Sequence, residues 1–351
     1  MNKFQIAEIS GAQAHAGTKA TEDVLMIARK LGFEPLYIQM NDLAPGVLHK
    51  LNRQVQFYKD WSKVSNTITE KSIVLLQHPF HYPQLTREQI LLKLKNEKHV
   101  RFISVVHDVE ELRTIGNERY HKHEFEFMMQ IADVLIVHNN VMRDFFIKKG
   151  FAKERIIVLE IFDYLRDRAS DELPTFERSI TIAGNLDIRK SAYLTNLPNL
   201  NCEFHLYGPN YSLGETNNIT YGGVLSPNEV PKVLTRGFGL IWDGDSAETC
   251  KGGFGNYLRY NSPHKLSLYL SSGLPVIIWK DAAEAKFVAA NRVGYTIDSL
   301  FEISKLMERI SDDEYKVLAK NVNAISQKLI DGKYMREALN KSIRLLDYEN
   351  T

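Results

Sequence analysis

Cysteine is nearly missing from this chain. Cys202 and Cys250 are the only two in 351 residues, and no CxxC joins them. That spacing excludes a disulfide framework and a cysteine metal centre. Long hydrophobic runs are missing too: stretches such as LPVIIW fall far short of the roughly 20 apolar residues that a membrane-spanning helix needs. The opening MNKFQIAEIS starts as a strand, without the apolar centre of a secretion signal. Nor does one sign of charge dominate. Lys+Arg 44 against Asp+Glu 43 gives a formal charge of +1, which removes the electrostatic case for a dedicated nucleic-acid binder. There is no internal repeat and no low-complexity tract. The expectation is a cytoplasmic protein with no transmembrane segment and no nucleic-acid partner.

What is present is alternation. With 44% apolar residues, a chain of this length fills two cores. Strands are expected at 4–9, 35–40, 72–77, 101–106, 134–138 and 156–160, with helical patterns at 18–31, 88–94, 120–131 and 141–149 between them. Runs such as IVLL, VLIV and IIVL are continuous and not alternating, as a parallel sheet covered on both faces requires. The mixed-charge stretch 162–179 reads as a linker. A second series follows: strands at 180–183, 203–207, 219–222, 239–242, 275–279 and 294–297, and helices at 227–234, 264–271, 282–290 and 300–310. The tail 312–348 reads as two helices. The expected fold is α/β, with two Rossmann-like doubly wound domains, a cleft between them and a helical tail, the GT-B architecture. The boundaries are 1–165, 175–335 and a terminal helix 336–351 packing back on the first domain.

In such sheets ligands sit beyond the C-terminal strand ends, so the loops there hold the candidates. After the first strand comes SGAQAHAGTKA. Gly17 and Thr18 open a helix whose free N–H groups suit an anion, and His15 lies beside them; a plain Gly-containing turn is the competing reading. The fourth strand ends in VVHDVEELR, where His107 and Asp108 suit a general base or, alternatively, a structural histidine and a capping Asp. In TIAGNLDIRKS, Gly184 and Asn185 make a turn. Arg189, with Lys190, then stands where a cation is a poor dipole partner unless an anion lies between. A solvated pair is the alternative. FHLYGPN offers Tyr207 as a stacking surface or an ordinary strand end.

DGD at 243–245 has the form of a metal-binding DxD, a motif short enough to recur by chance, and no metal site is expected. KGGFGN reads as a mobile loop over a donor. In YNSPHKLSLYLSSGLPVIIW, Ser262 is read as the cap and Pro263 as the first helical residue, so that His264 and Lys265 stand in the first turn as cations beside an anion. Gly273 and Pro275 end the helix. Arg189 and Lys265 together form the expected clamp on a diphosphate. No GxGxxG follows any strand, which disfavours a nicotinamide dehydrogenase.

The blocks SGAQAHAGTKA, AGNLDIRKS, GLIWDG and NSPHKLSLYLSSGLPVIIW together resemble a bacterial glycosyltransferase family. Its best-known members are the glucosyltransferase 3 enzymes of serine-rich-repeat adhesin glycosylation, and sequences labelled β-1,6-galactofuranosyltransferase look similar. The resemblance runs over nearly the whole chain. It implies a GT-B enzyme that binds a UDP-sugar through its second domain, needs no cofactor and forms homo-oligomers. It further implies transfer of glucose from UDP-glucose to a GlcNAc-modified Ser/Thr on a peptide or glycan acceptor. By the same implication Arg189, Lys265 and Asn261 are donor-site residues lined by Gly184, Asn185 and Tyr207, while His15 and Thr18 face the acceptor or the phosphates. The chain departs from the retaining GT-B pattern at Leu268, where that pattern places an acid. Two alternatives keep the fold: a galactofuranosyltransferase of polysaccharide assembly, and a non-catalytic nucleotide-sugar-binding partner.

Overall fold

The computed structural model describes residues 1–9, 16–41, 44–113, 118–167 and 173–348. The first domain holds a six-stranded sheet: β1 (Lys3–Ile9), β2 (Glu34–Gln39), β3 (Ile73–His78), β4 (Arg101–Val106), β5 (Val134–Val137) and β6 (Ile156–Val158). They lie in the order β2-β1-β3-β4-β5-β6, every pair parallel. The second domain repeats the plan with β7 (Thr175–Ala183), β8 (Glu203–Tyr207), β9 (Ile219–Tyr221), β10 (Arg236–Ile241), β11 (Val276–Trp279) and β12 (Gly294–Ile297). Its order is β12-β11-β10-β7-β8-β9, again all parallel. This is the two-domain, doubly wound architecture expected of GT-B proteins.

The central strands are buried over almost their whole length, as both-face coverage demands. Register then sets the site. Ile73 to His78 pair in step with Arg101 to Val106, and the His107 N–H donates to the His78 carbonyl at 2.8 Å. The ends of β3 and β4 are thereby level. In the second sheet the switch point lies between β7 and β10, so the loops after Ala183 and Ile241 part and leave a crevice.

The final helix, Lys333–Tyr348, belongs to the first domain's core. Met335, Ala338, Leu339 and Leu346 pack with Val24, Ile27 and Phe162. Large apolar side chains buried in this way contribute about 1.5–3 kcal/mol each. The helix before it, Asp312–Ile330, carries a Ser311/Glu314 capping box and packs in the second domain.

Several expectations change. In the expected linker 162–179, the first residues pack into the structure. Phe162, Asp163, Tyr164 and Leu165 are buried. The Phe162 carbonyl accepts from Ser267 Oγ at 2.6 Å, and the Tyr164 hydroxyl donates to the Pro227 carbonyl at 2.8 Å. The stretch ends inside β7, whose charged residues lie on its exposed first half. KGGFGN is not a loop: Lys251 caps a short helix, Gly252–Tyr257, in which Gly255 is buried and packed so closely that a Cβ would lie 2.7 Å from the Cys250 carbonyl carbon. Pro263, not Ser262, is the cap of the helix His264–Ser271 and gives it no side-chain hydrogen bond.

Candidate active site

Between the domains lies a cavity of about 530 Å³, lined by Glu8, Thr18, Gln77, His107 and Asp108 on one side and Asn261 and His264 on the other. Gln77 fixes the His107 tautomer. Its Nε2 donates to the Thr21 carbonyl at 3.2 Å, so its Oε1, 2.8 Å from His107 Nε2, must accept a proton carried there. Nδ1 is left as an acceptor. The ring stacks on Phe162 at 5.3 Å. Burial, with the histidines around it, pushes its pKa down to about 3. An imidazole so acidic in its charged form is a good hydrogen-bond acceptor and a feeble base.

Asp108 has the opposite bias. Burial raises its pKa above the usual carboxylate range, against the attraction of Arg113, whose Nη1 lies 3.0 Å from Oδ2. A carboxylate of raised basicity at the cleft is the better proton acceptor of the two. The Tyr257 hydroxyl, from the second domain, accepts the Val109 N–H at 2.8 Å and also bonds the Asp108 carboxylate. The candidate base is thus held by both halves of the molecule.

At the crevice of the second sheet, Lys265 Nζ reaches Asp243 Oδ1 at 2.9 Å and the Trp242 carbonyl at 3.1 Å. Lys190 faces the same group: Asp243 is its strongest electrostatic partner, with Lys265, Arg113 and Asp108 also acting on it. Its Nζ lies 5.1 Å from the Phe254 ring, which Arg113 approaches at 5.7 Å. The attraction of Asp243 is outweighed by burial and by the repulsion of Lys265 and Arg113, so the Lys190 pKa is lowered. Three cations thus gather with three carboxylates, Asp243, Asp108 and Glu110, the last 2.8 Å from Arg113 Nη1, and Lys190 is the cation left without a carboxylate of its own within ion-pair distance among the described residues. An anion beside Lys190 would offset the burial and repulsion that lower its pKa.

Arg189 does not join this group. Its side chain is 88% exposed and its Nε bonds both Asp187 oxygens at 3.0 Å. The cations that gather at the crevice are Lys190, Lys265 and Arg113, while Arg189, expected beside Lys265, is turned outward onto Asp187. His264 is no cation either. Burial, then Lys19, push its pKa down to about 4, and the Asp163 backbone holds one side of its ring. Its Nε2, like Asn261 Oδ1, is buried without a protein partner, and both residues line the cavity. Unsatisfied buried polar atoms are rare and mark a place for a ligand's hydroxyl or amide.

Gly184, at φ +145°, and Asn185 follow β7, with Asn185 Oδ1 accepting from the Asp187 N–H at 3.1 Å. Tyr207 ends β8 with its ring against Gly222, where a Cβ would sit 2.1 Å from Cε1. These three stand at the second domain's strand ends, outside the cavity itself. Gly17 and Thr18 lie in the first turn of the helix Ala16–Lys30, and His15 falls outside the described residues. Asp243 spends its carboxylate on Lys265 and Lys190.

Sequence reasoning passed over Arg113, Tyr257 and Glu8, and placed Lys190 only beside Arg189, not in the clamp. Glu8 is the one acid in the strand KFQIAEI, a signal that was there to use. Burial pushes its pKa up to about 7, with Arg87 and Gln84 opposing. No helix among the described residues is long and apolar enough to cross a membrane.

Both halves match family models. Residues 3–161 match the glucosyltransferase 3-like N-terminal domain and residues 180–342 the glucosyltransferase 3-like C-terminal domain. The chain is 32% identical to the β-1,6-galactofuranosyltransferase WbbI of Escherichia coli strain K12, over 97% of this chain and 98% of that protein. It is 25% identical to glucosyltransferase 3 of Streptococcus gordonii, over 91% and 92% respectively. Among solved structures, sucrose-phosphate synthase from Thermosynechococcus elongatus superposes with a TM-score of 0.66 at 11% identity, covering 99% of this chain and 100% of that one. HepE of Anabaena, solved with UDP and glucose, gives 0.61 at 10% identity, covering 98% and 100%. At those identities the likeness is one of fold. By its two matched domains and its 32% identical relative, the chain belongs to the glucosyltransferase 3-like family of glycosyltransferases.

Proposed function

We propose that the protein transfers a hexosyl group from a UDP-hexose to a hydroxyl of an acceptor glycan. The observation that carries this reading is the convergence of Lys190, Lys265 and Arg113 at the β7/β10 crevice, where burial and the other two cations outweigh the attraction of Asp243 on Lys190. A diphosphate beside Lys190 would offset that burial and repulsion. The acceptor oxygen bonds to the anomeric carbon, the bond from that carbon to the UDP oxygen breaks, and its electron pair passes to the diphosphate. The cations hold that charge. The acceptor proton goes to Asp108, while His107 Nδ1 and His264 Nε2 accept hydrogen bonds that orient sugar hydroxyls. Catalysis is then mainly placement and fixed charge. The reading invokes no metal ion.

Two donors are supported by different observations. The higher identity and fuller coverage favour UDP-galactofuranose, with the product entering a cell-surface polysaccharide. The family models matched by both halves, with the glucosyltransferase 3 relative, favour UDP-glucose; the GlcNAc-bearing Ser/Thr acceptor of a serine-rich-repeat adhesin is what the sequence resemblance implies. Mass spectrometry of a panel of UDP-glucose, UDP-galactose, UDP-GlcNAc and UDP-galactofuranose, against a GlcNAc-peptide and a GlcNAc-terminated glycan, separates them. UDP binding by calorimetry with neither transfer nor hydrolysis from any donor would sink the enzymatic reading and leave a nucleotide-sugar-binding partner.

A further inference from the structure

The helix Val47–Thr67 has two apolar faces, and only one is covered. Phe57, Trp61 and Val64 are buried against the first domain. Val47, Leu48, Leu51, Val55 and Tyr58 are each more than half exposed. Positions 47, 51, 55 and 58 recur at helical spacing, so they form one stripe, roughly 120° around the axis from the buried face. Nothing before Phe57 is buried, so the first part of the helix stands out from the domain as a spur. Other large exposed apolar residues, such as Met26 and Val317, are scattered and need no such account.

The spur borders the cavity mouth on the first-domain side. Gln54 Nε2 donates to the Pro83 carbonyl at 2.8 Å, and the Leu85 N–H donates to Gln54 Oε1 at 3.0 Å. Arg53 sits over Tyr82, which lines the cavity. Leu85 adds a further exposed apolar side chain beside the stripe.

Charge decides what covers it. The helix carries Lys50, Arg53, Lys59 and Lys63 against a single acid, Asp60. That carboxylate is already occupied by the Gln39 N–H and the Gln56 amide. An apolar stripe flanked by cations suits an anionic lipid surface, where side chains enter the headgroup boundary and ammonium groups meet phosphates. A second copy of the chain suits it poorly. A twofold interface sets each patch against itself and brings the same lysines face to face. We propose that this face of the helix docks the protein on an anionic phospholipid surface, beside the mouth of its cleft. The proposal does not depend on the donor or on the chemistry of the site.

The test is flotation of the full chain with phosphatidylcholine vesicles, with and without phosphatidylglycerol. Binding is expected only where phosphatidylglycerol is present, and it weakens with salt. The double variant Leu51→Glu with Val55→Glu, both positions exposed, loses about tenfold or more of the bound fraction while its thermal melt stays unchanged. Lys59→Glu with Lys63→Glu repeats the test through charge alone. The proposal is overturned by absence of wild-type binding, by binding that both double variants retain, or by a wild-type oligomer that Leu51→Glu with Val55→Glu splits into monomers.

Discussion

Lys190 and Arg113, from different domains, approach the same aromatic ring: Nζ and Cζ lie 5.1 and 5.7 Å from the centre of Phe254. A cation from each half is thereby kept at one point in the cleft, and the charge balance there sets the chemistry. The neighbouring Arg189 has no part in it.

Lys190→Ala is expected to lower kcat/KM by about a hundredfold, some 2.7 kcal/mol, the usual cost of removing one donor to a developing anion. Arg189→Ala, which breaks only an exposed ion pair, stays within about threefold of the wild type. Steady-state release of UDP from both variants is the measurement. A large loss in Arg189→Ala with a small one in Lys190→Ala would reverse the assignment.

Asp108→Asn should reduce kcat by about a hundredfold or more while UDP binding by calorimetry is kept. The acid limb of the wild-type rate profile follows from the direction of the Asp108 shift. The deprotonated form is active, so the rate falls as pH falls through a pKa above the ordinary carboxylate value of about 3.9. His107→Gln keeps an acceptor and loses less. A rate flat with pH in the acid range would argue for another base.

Glu284 joins the two domains through Asn139, whose Nδ2 donates to its Oε1 at 3.0 Å. Burial lifts its pKa to about 8 from 4.5. An acid whose pKa is raised by folding stabilises the native state most below its unfolded pKa, and that contribution is lost as pH rises through the folded one. Melting temperature should therefore fall by a few degrees between those two values, and Glu284→Gln should flatten the fall. Differential scanning calorimetry across that pH window reads both. An identical slope in the two proteins would remove Glu284 from the account.

Gly208 adopts φ +140°, and a Cβ there would stand 1.8 Å from the Gly184 carbonyl oxygen. Gly208→Ala is expected to destabilise the second domain by about 3 kcal/mol or more, seen as a lower urea midpoint. Gly214→Ala has open space around it and bears only the strain of φ +76°, so its loss is smaller.

How much of this was legible depended on where the information sits. β3, β5 and β11 carry it in their own composition, as IVLLQH, VLIV and VIIW, and they fall where a buried parallel strand should. The helix Val47–Thr67 went unnamed because its residues divide between two apolar faces and blur the single stripe that periodicity detects. Arg189 and Lys190 are equal in charge and adjacent. What separates them is Asp187, whose Oδ1 takes the Arg189 N–H at 2.9 Å and turns that guanidinium outward. Tyr257 lies far from Asp108 in sequence, so only the folded domains bring it there, whereas Arg113 closes the same VVHDVEELR segment.

The buried strap at 162–165 has one more consequence. Asp163 accepts the N–H groups of Met335 and Tyr334 at 2.6 and 3.2 Å, so the outgoing and returning passages of the chain between the domains are laced together at a single carboxylate. The two crossings are thereby fixed to each other, whatever the angle between the lobes.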